Sequence, residues 1–285
     1  MKRIVFIFCF LTTFFSWSQK LEPFKIFSAN GKVISNKKFL KKISEADVIL
    51  FGEFHDNSTA HWLQVKILKE LHKNKNIVVG MEMLESDNQI AVNQYLDNKI
   101  MYEQLDSLAR LWSNFKTDYK PIVEYCKENK LPVIASNIPR RYASLLFKQG
   151  EDVLMTLPET DKQWFPSLPM PYNENLKSYK AMLKMFGDTT HTNQNFPKSQ
   201  AIKDYTMASN IVKNYVPNSV FLHINGSYHS DNYEGINWYL TRLNPNLKVL
   251  TISTVLQSNL NKLDSKNKNI ANYIIVTDFD TIRTY

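Results

Sequence analysis

Cysteine is almost absent from these 285 residues: there are two, Cys9 and Cys126. Cys9 lies inside an apolar leader, so export would leave Cys126 alone and exclude an internal disulfide. Stability must then come from the core. Long hydrophobic runs are missing too. Beyond the leader nothing approaches the roughly 18 consecutive apolar residues of a spanning helix, so no transmembrane segment is expected in the mature chain. No internal repeat and no low-complexity linker divides the sequence, which fits one large domain or a domain with an insertion. A dense basic track is also lacking. The formal charge of +8 falls to +6 without Lys2 and Arg3. The excess is spread over solvated faces such as "NKKFLKK" (Asn36 to Lys42), so no nucleic-acid partner is expected and an anionic ligand is mildly favoured.

The leader itself is informative. Met1-Lys2-Arg3 is a positive start, Ile4 to Phe15 is an apolar stretch, and Ser16-Trp17-Ser18 is small-x-small before Gln19. This predicts a secretory signal over residues 1–18, a mature domain over 19–285, and a periplasmic or cell-envelope location. Phe6-Ile7-Phe8 precedes Cys9, whereas lipoprotein processing needs a small residue there, so no lipid anchor is expected.

Short apolar runs recur at Val48–Phe51, Ile77–Met81, Pro132–Ala135, Ser219–Ile224, Val249–Thr254 and Tyr273–Val276. Continuous rather than alternating apolarity indicates strands covered on both faces. The first four are followed by glycine or polar punctuation and then a helix-period segment. The pattern predicts an α/β fold with a mostly parallel central sheet flanked by helices. Asp56 or Asn57 can cap a helix carrying Leu63, Ile67 and Leu71, and Pro139 can occupy the first turn of another. Residues about 84–130 and 155–215 read as helical additions, the second as a lid or small subdomain.

The chemistry-bearing residues fall at strand ends. Glu53 and His55 follow the first run, Glu82 follows "IVVGM", Asn137 ends the third run, and Gly226 and His229 end the fourth. In an open parallel sheet the carboxyl ends of the strands form the ligand edge. Glu53 and His55 are two apart, which puts them on one face of extended chain. Two Glu and two His can ligate a divalent metal. They can equally form a metal-free acid–base set in which a carboxylate orients His55. The helix starting near Asn57 points its positive end at the same edge. Asp56 reads as a cap, and His61 as either a packed histidine or a ligand. His72, His191 and His223 are assigned no role.

Five segments, "LFGEFHDN…H", "GMEML", "ASNIPRRYASLL", "SQAIKDYTMASNI" and "HINGSYH", resemble in order the motifs of ChaN-like haem-binding uptake proteins. That family lies in a wider superfamily with the Tiki proteases and erythromycin esterases. The resemblance spans roughly Ala46 to Thr254. It implies a parallel α/β fold, an envelope location, and haem binding connected with iron acquisition. Glu53, His55, Glu82 and His229 match the polar set that the wider superfamily uses for hydrolysis, so an ester or peptide hydrolase remains the alternative. Family members are often lipoproteins, and here the sequence departs from them. No Cys-x-x-Cys-His motif is present, so any haem is non-covalent. Tyr172, Tyr179 and Met182, in "MPYNENLKSYKAMLKMFG", could cover a planar apolar ligand; His61 is a further candidate contact, and Arg141 or Arg140 could pair with propionates. A second copy of the chain and envelope uptake machinery are the other expected partners.

Overall fold

Alternation along the strands sorts their side chains into two cores. Ile49 and Phe51 pack on one side of the sheet with Val79, Met81 and Ile252, while Val48 and Leu50 pack on the other with Val78 and Phe221. A strand buried on both faces must be apolar at nearly every position, which is why these runs were continuous in the sequence. The computed structural model describes residues 22–185 and 194–284. The expected export signal and His191 lie outside the described residues.

Among the described residues there are seven strands in one sheet: β1 (Phe24–Ser28), β2 (Val48–Glu53), β3 (Asn76–Glu85), β4 (Val133–Asn137), β5 (Ser219–Gly226), β6 (Val249–Gln257) and β7 (Tyr273–Asp278). Their order is β1-β7-β6-β2-β5-β3-β4. Only the edge strand β1 runs antiparallel to its neighbour. The fold class expected from the sequence is the one observed. The chain moves from β2 to β3 and β4 on one side, then returns through β5 to build β6 and β7 on the other. The direction of winding therefore reverses around β2, and a crevice opens at the carboxyl ends of β2 and β5.

One face is covered by α1 (Asn36–Ile43), α2 (Ser58–His72), α3 (Gln89–Leu96), α4 (Tyr102–Ala109), α5 (Phe115–Asp118) and α6 (Lys120–Glu128). The opposite face carries α7 (Arg140–Gln149), α8 (Asp152–Met155), α9 (Glu159–Lys162), α10 (Lys177–Lys184), α11 (Asn195–Asn214) and α12 (Ile236–Leu243). α11 buries Ala201, Ile202, Ala208 and Ile211 against this second core. Much of the stretch expected as a lid is thus a structural layer. Burying these side chains is worth more than holding a lid in water, at about 25 cal/mol per Å² of apolar surface.

Two strands run further than their apolar runs implied. β2 continues through Gly52 and Glu53, and β3 through Glu82 to Glu85. In β3 the pairing with β4 slips: Met81 faces Ala135, and Glu85 faces Asn137. Four residues on β3 are thus spanned by two on β4, a bulge that re-aims the side chains around Glu82. No helix among the described residues is long and apolar enough to cross a membrane.

Candidate functional site

The pairing of β2 with β5 places Glu53 beside Gly226 and Gly52 beside Asn225. The two Gly-x-x-His segments therefore leave adjacent strands at the same edge. Four side chains converge there in two linked groups.

The first group is built on β2. Glu53 is buried, and its Oε1 accepts from the Tyr119 hydroxyl at 2.6 Å and from His55 Nδ1 at 3.0 Å. Its Oε2 accepts from Gln64 Nε2, and His61 Nε2 stands 3.2 Å away. His61 Nδ1 is 3.5 Å from Asp118 Oδ1, and its ring packs edge-on against Tyr119. Burial raises the Glu53 pKa, but hydrogen bonds from His55 and His61 outweigh it, so Glu53 lies below the usual carboxylate range. His55 is the accessible member, with 30% of its side chain exposed. Its carbonyl accepts from Asn114 Nδ2 at 2.8 Å, and Trp112 meets its ring edge-on at 4.8 Å. Burial pulls the His55 pKa down, yet Glu53 and the charge of Glu82 hold it above the ordinary value.

The second group crosses from β3 to α11. Glu82 Oε2 accepts from the Gly226 N–H at 2.7 Å, and its Oε1 lies 3.2 Å from His229 Nε2. His229 Nδ1 donates to Asp204 Oδ1 at 2.6 Å, and the Tyr179 hydroxyl donates to Asp204 Oδ2 at 2.9 Å. Both ring nitrogens thus face carboxylates, the arrangement of an imidazolium. Burial opposes that charge, but Glu82 and Asp204 push the His229 pKa up to about 10. Burial also acts against Glu82, and His229 reverses it, holding this carboxyl well below its normal range. Asp204 is held above its normal range by burial.

Gly226 joins the halves. A Cβ there would stand 2.8 Å from His55 Nε2 and 3.6 Å from Glu82 Oε2. The imidazole occupies the space a side chain would fill, so any larger residue would have to displace it. The same contacts show that the His55 ring edge and Glu82 Oε2 both lie close to Gly226. An accessible imidazole oriented by a carboxylate, beside a second carboxylate, can transfer protons.

The structure brings Glu53, His55, Glu82 and His229 together, buries Tyr179, Met182 and His61, and leaves Tyr172 half-buried and Arg141 exposed. Tyr179 is 1% exposed and committed to Asp204; Met182 is buried in the same core. The helix period that suggested a ligand-covering stripe is the side facing α11 and the core. Tyr172 is half-buried and stacks on Tyr179 with ring centroids 5.5 Å apart. His61 is buried between Glu53 and Asp118. Arg141 pairs with Asp87 rather than standing free. His223, given no role from sequence, is buried in β5 between Ser136 and Asn225, and burial lowers its pKa to about 4. Asn57 is the helix cap, and Asp56 pairs with Arg283. Among the described residues, no three of His, Cys, Asp or Glu form a metal-ligand set.

Tyr119, Gln64 and Asp204 had no role in the sequence reading. Asp204 did carry a signal, as an acid on the buried stripe of α11 with Ala201, Tyr205 and Ala208. Gln64 similarly shares the buried side of α2 with Ala60, Ile67 and Leu71. Tyr119 carried none.

A doubly covered parallel sheet with a buried acid–imidazole edge defines the class to which the chain can be compared. The model of haem-binding uptake proteins, the ChaN family of the Tiki superfamily, matches residues 39–240, and the chain belongs to that family. A solved structure of Campylobacter jejuni, described as cofacial haem binding to ChaN, is similar with a TM-score of 0.67. It is 21% identical and covers 89% of this chain and 96% of its own. A Bacillus cereus protein of known structure is similar at a TM-score of 0.50 and 12% identity, covering 85% and 90%. The chloroplastic protein RETICULATA-RELATED 5 of Arabidopsis thaliana is 25% identical over 122 residues. That match takes in 40% of this chain and 17% of the relative, so the chain spans about a sixth of that curated protein's length.

Proposed function

We propose that this protein is exported to the cell envelope, binds haem non-covalently and serves iron acquisition. Membership of the haem-binding uptake family supports the ligand. The observation that carries the reading to this chain is Tyr228. Its phenol lies on the turn between Gly226 and His229, is 56% exposed, and has no hydrogen-bond partner among the described residues. Phe54 lines the same cavity wall as Tyr228. Exposed Phe279 and Ile282 follow β7 at the same sheet edge. An accessible tyrosine oxygen beside apolar surface is a fitting ligand for haem iron. Haem is cargo in this reading, and the protein's part is to present that oxygen and a surface for the porphyrin. Arg140, exposed and without a partner among the described residues, is the arginine free to meet a propionate. A second copy of the chain and envelope uptake machinery are the partners this reading implies.

The test is a haem titration of the apo protein. A defined Soret band is expected, unchanged in Tyr172→Phe and shifted or lost in Tyr228→Phe. Absence of any defined band in the wild type overturns the function, and an unchanged Tyr228→Phe spectrum overturns the ligand.

One observation favours a second reading, ester or peptide hydrolysis. Partly exposed His55, its Nδ1 held by Glu53, lies with Glu82 Oε2 close to Gly226, so an imidazole able to take a proton from water stands beside a second carboxylate. In that reading Glu53 and Tyr119 hold the His55 tautomer, and His229 fixes Glu82.

A further inference from the structure

A second polar cluster lies apart from the acid–imidazole groups. Between α10, the turns after β5 and the end of β6 is a cavity of about 460 Å³. Its walls include Phe54, Ser178, Tyr228, Asp231, Val255 and Ile270. Two hydroxyls on different walls are buried without partners: Ser178 Oγ, from α10, and Thr254 Oγ1, from β6. Asp231, from the turn after β5, has the hydroxyl of fully buried Ser253 as its polar neighbour. Buried polar atoms are normally hydrogen-bonded, and each one left unmade costs about 1–3 kcal/mol. Two on facing elements of one cavity mark a site whose hydrogen bonds a ligand can complete.

The lining sets the chemistry. Asp231 and the hydroxyls offer acceptor oxygens, and Phe54, Val255 and Ile270 offer apolar surface. A carboxylate and hydroxyls beside apolar side chains in one cavity suit a cation with several N–H donors and an apolar body. Burial pushes the Asp231 carboxyl up to about 7, with Ser253 drawing it back, so an incoming positive charge would stabilise the ionised form. Lys177 stands on the outer wall, exposed to solvent, and does not neutralise the carboxylate through an ion pair.

We infer that this cavity is a binding site for a small molecule carrying a primary ammonium group on an apolar or aromatic body, with the ammonium held by Asp231 and Ser178. The site shares Phe54 and the Ser227–Tyr228 turn with the edge described above. It adjoins the proposed haem surface, sharing Phe54 and Tyr228 with it, and differs in the polar groups of Asp231, Ser178 and Thr254. The inference does not rest on the haem reading.

The probes are phenethylamine and its neutral counterpart 2-phenylethanol, titrated into the haem-free full chain and followed by backbone amide NMR shifts. Phenethylamine is expected to bind saturably, with shifts centred on residues 227–232 and 177–181. 2-Phenylethanol should bind at least tenfold more weakly. Asp231→Asn keeps the shape and should weaken the amine at least tenfold, and Ser178→Ala by about threefold, with both variants retaining the wild-type thermal midpoint within a few degrees. Haem titration of Asp231→Asn should give the wild-type Soret band. Equal affinity for the amine and the alcohol, or an unchanged amine affinity in Asp231→Asn, overturns the proposal. Loss of haem from Asp231→Asn also overturns it, by making the cavity part of the haem surface; absence of haem binding in the wild type leaves the amine test standing alone.

Discussion

The two Gly-x-x-His segments leave neighbouring strands at the same level, yet their histidines occupy opposite environments. His55 has one nitrogen on Glu53, the other beside Gly226, and nearly a third of its side chain in solvent. His229 has both nitrogens on carboxylates and lies buried against β3 and α11. The motif is the same, but the partners differ in number and in depth. A histidine with one satisfied nitrogen is free to exchange a proton, whereas one clamped by Glu82 and Asp204 is a fixed charge tying sheet to helix. Repetition of a motif therefore does not imply repetition of a role.

Removing the clamp should produce the largest effect. His229→Ala would leave Glu82 and Asp204 buried with no cation between them. Breaking a buried ion pair in this way costs about 3–5 kcal/mol. We expect the chemical-denaturation midpoint of His229→Ala to fall correspondingly, with the slope preserved. A midpoint close to that of the wild type would remove the distinction drawn between the two histidines.

The next effect is in pH. The folded pKa of His229, about 10, lies above its ordinary 6.5. Its stabilisation is fully present below pH 6.5 and is lost as the pH rises through about 10. Glu82 has the opposite sign. Its depressed pKa gives stability that is present above about 4.5 and lost as the pH falls through the folded value. The stability gap between wild type and His229→Ala should therefore shrink between pH 7 and 10.5. A gap that stays constant over that range would mean His229 is not held as an imidazolium.

The sheet was legible because strands buried on both faces cannot hide their apolarity: each of the six runs named from sequence lies in or borders an observed strand. β1 escaped notice. "FKIFS" has three apolar residues in five, and its partner β7 is some 250 residues distant. Glu53 and Glu82 stood out as carboxylates terminating apolar runs. What completes the site comes from helices, where the side chain that reaches the edge is fixed by packing and not by order along the chain. Tyr119 reaches Glu53 from the junction of α5 and α6, and Asp204 reaches His229 from the second turn pair of α11. Tyr179 shows the converse. Its periodicity identified a buried side of α10 but said nothing of whether protein or ligand does the burying.

The smallest effect on stability, and the most informative one for function, belongs to His55→Ala. Glu53 would keep its hydrogen bonds from Tyr119 and Gln64, and the imidazole surrendered is partly solvated, so the loss should be about 1 kcal/mol or less. Any larger change in behaviour would therefore report on chemistry and not on folding. If His55 takes a proton from water, turnover of an ester or peptide substrate should fall by about 10²-fold or more, because His61, His223 and His229, the other imidazoles near this edge, are buried. If the edge is only a support for the haem surface, the same variant should keep the wild-type Soret band and the wild type should show no turnover on a broad panel of esters and peptides. Measuring both on one preparation separates the readings. Turnover that survives His55→Ala would exclude His55 as the proton-transfer group, and loss of the Soret band from this variant alone would place the iron at His55 and remove Tyr228 as its ligand.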